Sequence, residues 1–411
     1  MELYRLSSLC LGALVVILTG CQAAPRVTTP MRAIWVTRYE YKTPEDVTRI
    51  MADCQQGGFN AVLFQVRGNG TAFYQSKLEP WAEELGGTDP GWDPLAVACQ
   101  EAHDRGLELH AWVNVMPGWH GTEPPEDPEQ LYNKHPEWFW YDQHGNRQPL
   151  SSFYVSLNPC LPEVRQYLVD VYHDLVARYD VDGLHMDYIR FPNEPPAIPE
   201  GSGIDYPRDE RTLALYKHET GLTPDENKER WSEWRTEQVT KLVRQIRDMV
   251  HKTKADVVLT AAVGTDPKAS LVHFRDDRRW AREKLVDAVL PMNYVDDPAE
   301  FGKRIDGWLA DKPPVPVIPG LWFGRHRGMS PAEATEAVRQ EIEVASVKTG
   351  NFCVFSYGSL FNTPERAGRG GRAERAQSAS SQPESAPRPI REVRREVLLP
   401  YIQSLAQEVG G

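Results

Sequence analysis

The chain contains 411 residues, of which 41% are hydrophobic and 25% are charged, and this composition is typical of a globular protein with a large buried core. Its formal net charge of −12 argues against binding to nucleic acid, and no basic stripe in the sequence outweighs that charge. Length alone does not decide the number of domains, because a single barrel domain with insertions can exceed about 400 residues.

The amino terminus has the pattern of an export signal. An apolar run at residues 9–18 is too short for an ordinary transmembrane helix and suits the core of a signal peptide. The sequence Leu-Thr-Gly-Cys at residues 18–21 resembles the lipobox of bacterial lipoproteins, in which the cysteine becomes the lipidated first residue after cleavage. We therefore expect an exported protein that is anchored to a membrane through lipid on Cys21 and faces the periplasm or the cell exterior. An ordinary signal peptide cleaved near residues 23–24 is the alternative.

The cysteines do not suggest a metal site or a disulfide framework. Loss of the signal peptide removes Cys10, and acylation of Cys21 leaves four others, whose spacing matches no metal-binding motif. Cys54 and Cys99 lie on consecutive predicted helices and could approach each other. Scattered cysteines in a large domain are more often buried thiols, so we predict no essential disulfide. The four are Cys54, Cys99, Cys160 and Cys353.

Predicted strands and helices alternate along the rest of the chain. The first helix is indicated by Thr43 as N-cap and Pro44 in the first turn. Strands are predicted at residues 31–38, 59–66, 107–114, from 183, 257–263, 288–294, 316–323 and 351–357, and the main helices at 44–56, 93–105, 162–179, 233–252 and 331–347. Alternation at this spacing indicates parallel β/α units. Eight such strands indicate an α/β fold of the (β/α)8 TIM-barrel type, in which the active site lies at the C-terminal ends of the strands.

Long segments interrupt this alternation on the predicted functional face. Residues 115–159 follow the third strand and carry several tryptophans among prolines and glycines, and a Pro-rich loop at residues 193–207 follows the fourth strand. A stretch at about 364–389 is poor in apolar residues and is expected to be a flexible insertion before a last helix at residues 390–407. We divide the chain into a signal peptide at residues 1–20, a tether at 21–30 and a barrel domain at 31–411.

The fourth strand carries the strongest candidate for catalysis. The sequence GLHMDYIRFP at residues 183–192 begins as an apolar strand and ends on an acid, an aromatic residue, an arginine and a proline. Asp187 would thus lie at the carboxyl end of the strand, although a loop-capping or salt-bridged aspartate is the alternative. Because side chains alternate along a strand, His185 would point the same way one layer deeper. The same alternation predicts that Gln65 and Arg67 point to one side of their strand, and that His110, Trp112 and Asn114 point to one side of theirs. Three strands would thus direct polar groups towards one mouth.

Other reaction classes lack support in the sequence. His110 and His185 could be imagined as metal ligands, but no HxH or HExxH spacing supports this, and a hydrogen-bonded inner layer is the preferred interpretation. No Gly-x-Ser-x-Gly elbow, P-loop or dinucleotide fingerprint occurs in the required strand-turn-helix context. We therefore predict no metal and no cofactor, and carboxylate chemistry remains.

Glycoside hydrolysis usually requires two carboxyl groups, one acting as an acid and the other as a nucleophile or base. Asp187 is one of them. We predict Asp296 as the partner because it follows the sixth strand in the sequence Met-Asn-Tyr-Val-Asp-Asp, which contains groups that suit sugar binding. Asp297 could be the N-cap of the next helix. The partner role remains open to Asp266, Asp297 and Glu40.

Several long motifs resemble the glycosyl hydrolase-like 10 family of exported bacterial proteins. They occur in the same order, from about residue 31 to residue 192, with weaker similarity through PMNY and the last strand: MRAIWVTR, FNAVLFQVRGNGTAFYQSKLEPWAEELGG, WDPLAVACQEAHDRGLELHAWVN, LYNKHPEWF, YVSLNPCLPEVRQYLVD and VDGLHMDYIRFP. The resemblance implies a (β/α)8 glycosidase, with the glycan strands of peptidoglycan as the substrate class of some members. The resemblance implies that Arg67, His110, Asn114 and Asp187 occupy positions of the family motifs at the mouth of the barrel. It does not identify the second carboxylate.

We therefore expect an enzyme that hydrolyses a cell-envelope polysaccharide. Asp187 would be the nucleophile or general base, kept ionised by a nearby arginine, and its partner would be an acid among aromatic rings. Predicted substrate contacts are Arg67, His110, Asn114, Tyr188, Arg190, Tyr294, Trp322 and Trp119. Two alternatives are a barrel that binds carbohydrate without catalysis, through Trp119, Trp138 and Trp140, and a lipid-anchored scaffold protein of the envelope.

Overall fold

The computed structural model describes residues 27–192, 198–199, 201–326, 328–361 and 390–408. The predicted lipidation site at Cys21 and the insertion at 364–389 lie outside these residues. In the part of the chain that is described, none of the helices has the length and apolar character needed to span a bilayer.

Eight parallel strands form the barrel wall, which confirms the TIM-barrel prediction. The strands of the protein are β1 (Arg32–Val36), β2 (Ala61–Arg67), β3 (Glu108–Asn114), β4 (Pro117–Gly121), β5 (Ser151–Ser156), β6 (Gly183–Asp187), β7 (Val258–Val263), β8 (Ala288–Pro291), β9 (Gly320–Trp322) and β10 (Phe352–Phe355). The order in the wall is β8-β7-β6-β3-β2-β1-β10-β9. Two parallel bridges, Val289 to Val317 and Met292 to Gly320, join its two ends. Strands β4 and β5 form a separate antiparallel hairpin within the insertion after β3.

The helices surround this wall. They are α1 (Pro44–Gln56), α2 (Pro94–His103), α3 (Leu131–Lys134), α4 (Pro162–Arg178), α5 (Glu210–Thr220), α6 (Lys228–Thr253), α7 (Pro267–Val272), α8 (Asp277–Arg282), α9 (Pro298–Leu309), α10 (Pro331–Thr349), α11 (Tyr357–Leu360) and α12 (Ile390–Glu408). Many begin with a side-chain cap followed by proline, as at Thr43 and Pro44, so local sequence specifies where they start. The hairpin and α5 were not predicted from the sequence, and α6 begins earlier than the predicted start at residue 233.

Side-chain alternation divides the core into two layers. Along β1, Ala33 and Trp35 point into the barrel and belong to an interior cluster with Leu63 and Trp112, whereas Ile34 and Val36 pack outwards against the helices. The interior is therefore filled by side chains, as in other TIM barrels, and the loops at the C-terminal ends of the strands remain available for a site. The four cysteines outside the amino-terminal segment are buried free thiols.

Candidate active site

Asp187 is the last residue of β6 and lies beside Asn114, the last residue of β3. It is 8% exposed. The backbone N–H of Tyr188 donates a hydrogen bond of 2.7 Å to Oδ1, and Nη1 of Arg190 lies 3.7 Å from the same oxygen. Burial raises the pKa of this carboxyl, and the charge of Arg190 and the Tyr188 N–H oppose the rise without cancelling it.

This balance differs from our expectation that a neighbouring arginine would keep Asp187 ionised. Arg190 is present, but its charge does not outweigh the loss of hydration around the carboxylate. A carboxyl with a raised pKa suits a general acid better than a permanently charged base. The structure therefore favours the acid role for Asp187.

The layer beneath Asp187 is neutral and hydrogen-bonded. His185 accepts a hydrogen bond of 3.1 Å from the indole Nε1 of Trp35 at its Nε2, so its Nδ1 carries the proton and donates to Thr260 Oγ1 at 2.8 Å. Burial lowers the pKa of His185 well below its ordinary value. The alternation that places His185 one layer below Asp187 is confirmed, and both ring nitrogens are engaged by protein groups.

Two groups of aromatic side chains line the mouth. On the hairpin side, the Tyr188 ring lies 5.0 Å from Tyr154 and 6.3 Å from Phe153, and the guanidinium of Arg190 sits 4.5 Å above the Tyr188 ring. On the other side, Tyr294 lies 5.6 Å from Trp322 and 6.1 Å from Phe355. Tyr188, Arg190, Tyr294 and Trp322, all predicted as substrate contacts, are therefore brought to the same mouth as Asp187. Partly exposed rings of this kind can stack on the apolar faces of sugars.

The tryptophans of the insertion have a structural role instead. Trp119 is 5% exposed, packs in the core and donates to the carbonyl of Glu123 at 2.9 Å. Trp140 is fully buried and donates to the carbonyl of Leu157 at 3.0 Å, and Trp138 stacks on His135 at 3.8 Å. This position in the core does not favour the predicted contact of Trp119 with substrate. Within the insertion, the aromatic residues that reach the mouth are Phe153 and Tyr154 of β5, and the β-favouring run Phe-Tyr-Val between serines was the signal for that strand.

Arg67 faces away from the mouth, which corrects the parity prediction. The register between β2 and β3 shifts between Gln65 and Arg67, so the strict alternation of side chains is interrupted there. Arg67 is fully buried, and its Nη2 lies 2.7 Å from Glu79 Oε1. Its Nη1 donates to the backbone carbonyl of Asn114. Arg67 thus supports the ends of β2 and β3 from behind and has no exposure with which to bind substrate.

His110 and Asn114 are also internal. His110 pairs with Gly183, the first residue of β6, at the opposite end of the strand from Asp187, and its ring lies 3.2 Å from the Glu108 carboxylate. It cannot reach a substrate at the mouth, so that prediction is wrong. Asn114 does lie at the mouth, but its amide accepts from Gln65 at 3.2 Å and donates to the carbonyl of Gly68 at 3.1 Å. Its visible role is to connect strand ends.

The candidates for the second carboxylate differ in what their oxygens already bind. Glu40 accepts from the backbone N–H groups of Thr37 at 2.7 Å and Gly358 at 2.6 Å, so it joins the loops after β1 and β10. Asp266 and Asp297 are the N-caps of α7 and α9.

Asp296 is the one of these four that, in the described part of the chain, neither caps a helix nor joins two loops. It is exposed, in contrast to the expected setting among aromatic rings. Burial raises the pKa of Glu341 in α10, and the charge of Asp296 adds to that rise. The pairing of Asp296 with Asp187 stays a prediction.

Two ion pairs at the mouth were missed in the sequence. Arg38, directly after β1, lies 3.0 Å from Glu84 and within 3.4 Å of the Tyr154 hydroxyl. Arg275 lies 2.8 Å from Asp277 in the loop between β7 and β8. Arg38 could have been suspected from its place at a strand end, whereas the segment that contains Arg275 has no strand signal. Within the described ranges, no group of three or more His, Cys, Asp and Glu residues is arranged to hold a metal ion.

Comparisons with known proteins agree with this fold. Residues 30–324 match the model of the family described as glycosyl hydrolase-like 10. The chain is similar to glycosyl hydrolase YngK of Bacillus subtilis (28% identical over 274 residues, 61% of this chain and 49% of the relative). It is also similar to glycosyl hydrolase DigH of Escherichia coli K12 (27% identical over 312 residues, 64% and 65%). The aligned regions thus span about half to two thirds of these relatives.

Solved structures share the barrel at low sequence identity. The glycoside hydrolase domain of PgaB from Bordetella bronchiseptica aligns with a TM-score of 0.60 at 15% identity, covering 79% of this chain and 93% of that one. The catalytic domain of β-amylase from Paenibacillus polymyxa aligns with a TM-score of 0.55 at 11% identity, covering 82% and 95%. At these identities the likeness supports the fold alone. Because the family model matches well over half of its residues, the chain belongs to the glycosyl hydrolase-like 10 family.

Proposed function

We propose that the protein is an exported, lipid-anchored glycoside hydrolase that cleaves glycosidic bonds in a cell-envelope polysaccharide, with Asp187 as an essential carboxylate. The observation that carries this proposal is the position of Asp187: buried at the carboxyl end of a barrel strand, and flanked by the two aromatic groups of the mouth. Membership of a family whose relatives are named glycosyl hydrolases supports the same reaction class.

The environments of the two carboxylates suggest their roles. Asp187, with a pKa raised by burial, protonates the leaving glycosidic oxygen. Asp296 is exposed, so its carboxylate stays hydrated and is suited to activating a water molecule or attacking the sugar. Tyr188 and Tyr294 are close to Asp187 on either side and would stack on the sugar rings next to the scissile bond. The sequence had suggested the opposite roles, with Asp187 as nucleophile or general base and Asp296 as the acid.

The substrate and location rest on sequence features. The export pattern at residues 9–21 would place the enzyme outside the cytoplasmic membrane, and lipid on Cys21 would hold it there. The polysaccharide within reach of such an enzyme is an envelope glycan, and we propose the glycan strands of peptidoglycan as the first to be tested.

The test is turnover of purified glycan strands by the mature protein and its variants. Removing a general acid or base typically lowers the rate about 10²- to 10⁴-fold, so Asp187→Asn and Asp296→Asn should each lose activity on that order while keeping glycan affinity. Asp306→Asn is the matched control, because this exposed aspartate of α9 pairs with Lys348 in the last turn of α10 and lies outside the proposed site.

Each outcome has a distinct meaning. Wild-type turnover by folded Asp187→Asn would reject the mechanism, and the same result for Asp296→Asn alone would reject Asp296 as partner. Glycan binding without turnover by the wild-type protein would favour the non-catalytic carbohydrate-binding alternative. Absence of both binding and turnover would favour the scaffold alternative.

A further inference from the structure

A second buried carboxylate lies in the loop between β7 and β8. Asp277 is 2% exposed at the start of α8, and its Oδ2 accepts hydrogen bonds from the backbone N–H of Gly264 at 2.8 Å and from Ser270 Oγ at 2.6 Å. Nε of Arg275, which is itself buried, lies 2.8 Å from the other oxygen, Oδ1. Asp277 is therefore held by two hydrogen bonds and lies in ion-pair contact with Arg275, whose Nη2 in turn donates to Ser270 Oγ at 3.3 Å.

The end of β7 packs directly on this pair. A Cβ atom placed on Gly264 would lie 2.3 Å from Ser270 Oγ and 2.7 Å from Arg275 Nη2, so only glycine leaves the space that the pair occupies. β7 is the neighbour of β6 in the barrel wall. The Arg275–Asp277 pair thus sits against the strand end beside Asp187.

The same loop is joined to the segment that follows Asp187. The backbone N–H of Phe191 donates to the carbonyl of His273 at 3.0 Å, Nδ1 of His273 lies 3.1 Å from the carbonyl of Phe191, and the rings of Phe191 and Phe274 are 5.0 Å apart. Residues immediately before Arg275 are therefore fastened to the residue immediately after Arg190. Any shift of one loop would be transmitted to the other.

Two arginines and two aspartates consequently interact in this region, and all of them except the partly exposed Arg190 are buried. Burial raises the pKa of Asp187 and that of Asp277, and the charges of Arg190 and Arg275 both lower each of them. The four formal charges sum to zero, two positive and two negative, so each arginine divides its field between two carboxylates. A change in one pair should alter the ionisation of the other.

We propose that Arg275, held in place by Asp277, is a positioning residue that controls the ionisation of Asp187 together with Arg190. The proposal rests on the catalytic role proposed for Asp187. Arg275 acts through its charge and need not touch the substrate. The reactivity of a residue on β6 would thereby depend on an ion pair about ninety positions later in the sequence.

The other groups that face Asp187 are accounted for. Tyr188 and Arg190 come from its own loop, Tyr294 follows β8, and neutral His185 lies one layer below. The indole of Trp112 on β3 also lowers the pKa of Asp187. Burial raises the pKa of the Tyr188 hydroxyl, Tyr154 adds to that rise, and the charge of Arg38 opposes it. The variants below leave all of these in place.

The test measures the ionisation of Asp187 in two independent ways. The pH dependence of kcat/KM reports it if the protein turns over glycan, because an acid must be protonated and activity falls as pH rises through its pKa. Titration of selectively ¹³C-labelled aspartate carboxyls by NMR, with Asp187→Asn to assign the signal, reports it without any activity. Failure of the proposed function would remove the first readout and leave the second.

The variants have opposite expected signs. Asp277→Asn removes a negative charge and leaves Asp187 as the anionic neighbour of Arg275. The pKa of Asp187 and the alkaline limb of the kcat/KM profile should therefore both move to lower pH. In Arg275→Gln a positive charge is lost, so both should move to higher pH. We expect shifts of at least about 0.5 pH unit, which is roughly a threefold change in activity at a fixed pH on the limb.

Controls keep the test decisive. Arg275→Gln leaves Asp277 buried without its cation, so the double variant Arg275→Gln with Asp277→Asn provides a neutral pair and should also shift the titration to higher pH. Asp306→Asn removes an exposed aspartate of α9 that pairs with Lys348 in the last turn of α10, and it should shift neither readout. Folded variants in which Asp187 titrates at the wild-type pH by both measurements would overturn the proposal.

Discussion

At the scale of single residues, the site depends on how strongly each carboxyl group is desolvated. Asp187 and Asp277 are almost fully buried and have raised pKa values, whereas Asp296 is exposed. The arginines near the two buried groups reduce this effect without abolishing it. Acid strength at this mouth is therefore a property of the surroundings of each side chain.

The raised pKa of Asp187 also affects stability, and its sign can be derived. The folded state holds the proton more tightly than the unfolded state, whose aspartate pKa is about 3.9. The stability contributed by the protonated form is present below that value and is lost as pH rises through the folded-state pKa. Above the folded-state pKa, the ionised, buried carboxylate therefore makes the native state less stable.

We predict that Asp187→Asn melts at the same temperature as the wild type or a few degrees higher at pH 7. One pKa unit corresponds to about 1.4 kcal/mol, and in a domain of this size 1 kcal/mol moves Tm by at most about 2–4 °C. The difference should shrink towards pH 4. Thermal melts from pH 4 to pH 8 check this, with the exposed Asp296→Asn as control. A lower melting temperature at pH 7 would contradict it.

At the scale of elements, the ends of β2 and β3 are held by a buried ion pair. Arg67 and Glu79 have no exposed side-chain surface, and the hydroxyl of Tyr167 in α4 donates a further hydrogen bond to Glu79 at 3.2 Å. Breaking such a pair by removing one partner leaves the other charge buried and typically costs about 3–5 kcal/mol.

We predict that Glu79→Gln loses about that much free energy of unfolding, because Arg67 keeps its charge in a site without an anion. Urea denaturation measures the loss. The exposed pair of Lys134 and Glu129 offers a comparison, since Glu129→Gln should leave the free energy of unfolding nearly unchanged. Similar losses for both variants would show that burial does not control the energetics of the first pair.

The hairpin supplies a second prediction at this scale, which separates core from binding residues. Trp119→Ala should cost about 3–5 kcal/mol of stability, because it empties a buried site. Phe153→Ala should leave the melting temperature nearly unchanged and weaken glycan binding about three- to tenfold, because a partly exposed ring at the mouth is lost. Melting curves and glycan-binding titrations of both variants distinguish a core role from a binding role. A loss of affinity in Trp119→Ala without a loss of stability would restore the original assignment of Trp119.

At the scale of the whole molecule, α12 closes the ring of helices between α10 and α1. Leu398 and Ile402 are fully buried, Gln403 contacts the carbonyl of Gln56, and Arg394 donates to the carbonyl of Ser359 at 3.1 Å. The last predicted helix is confirmed, with its end one residue further than expected. It is therefore part of the barrel despite the long insertion before it.

We predict that replacing residues 365–389 with a short Gly/Ser linker keeps the melting temperature within a few degrees, because these residues lack apolar periodicity. Removing α12 as well should abolish soluble expression, because it exposes the apolar surface that Leu398 and Ile402 cover. Expression and thermal melts of the two variants make the comparison. Equal loss of folding in both would mean that the insertion itself stabilises the barrel.

Membrane attachment is also a property of the whole molecule. If residues 18–21 form a lipobox, a fatty-acid analogue should label the wild-type protein and not Cys21→Ala. Gln22, which is not an aspartate, should then allow transport to an outer membrane in a cell that has one. Equal labelling of both proteins would reject the anchor.

The sequence by itself determined the barrel, because strand and helix periods, proline starts and N-caps act over a few residues. The same local signals placed Asp187 at a strand end with Tyr188 and Arg190 behind it, and they identified the last helix after the insertion.

Only the tertiary structure decided which polar groups face the mouth. The shift in register after Gln65 turns Arg67 away from the mouth. His110 lies beside the start of β6, at the opposite end of the barrel from Asp187. Trp119 is buried in the hydrophobic core. The tertiary structure also decided that burial raises the pKa of Asp187, and it brought Arg275, whose charge opposes that rise, from a distant loop. Desolvation and electrostatic fields are sums over neighbours in space, and no short window of sequence contains those neighbours.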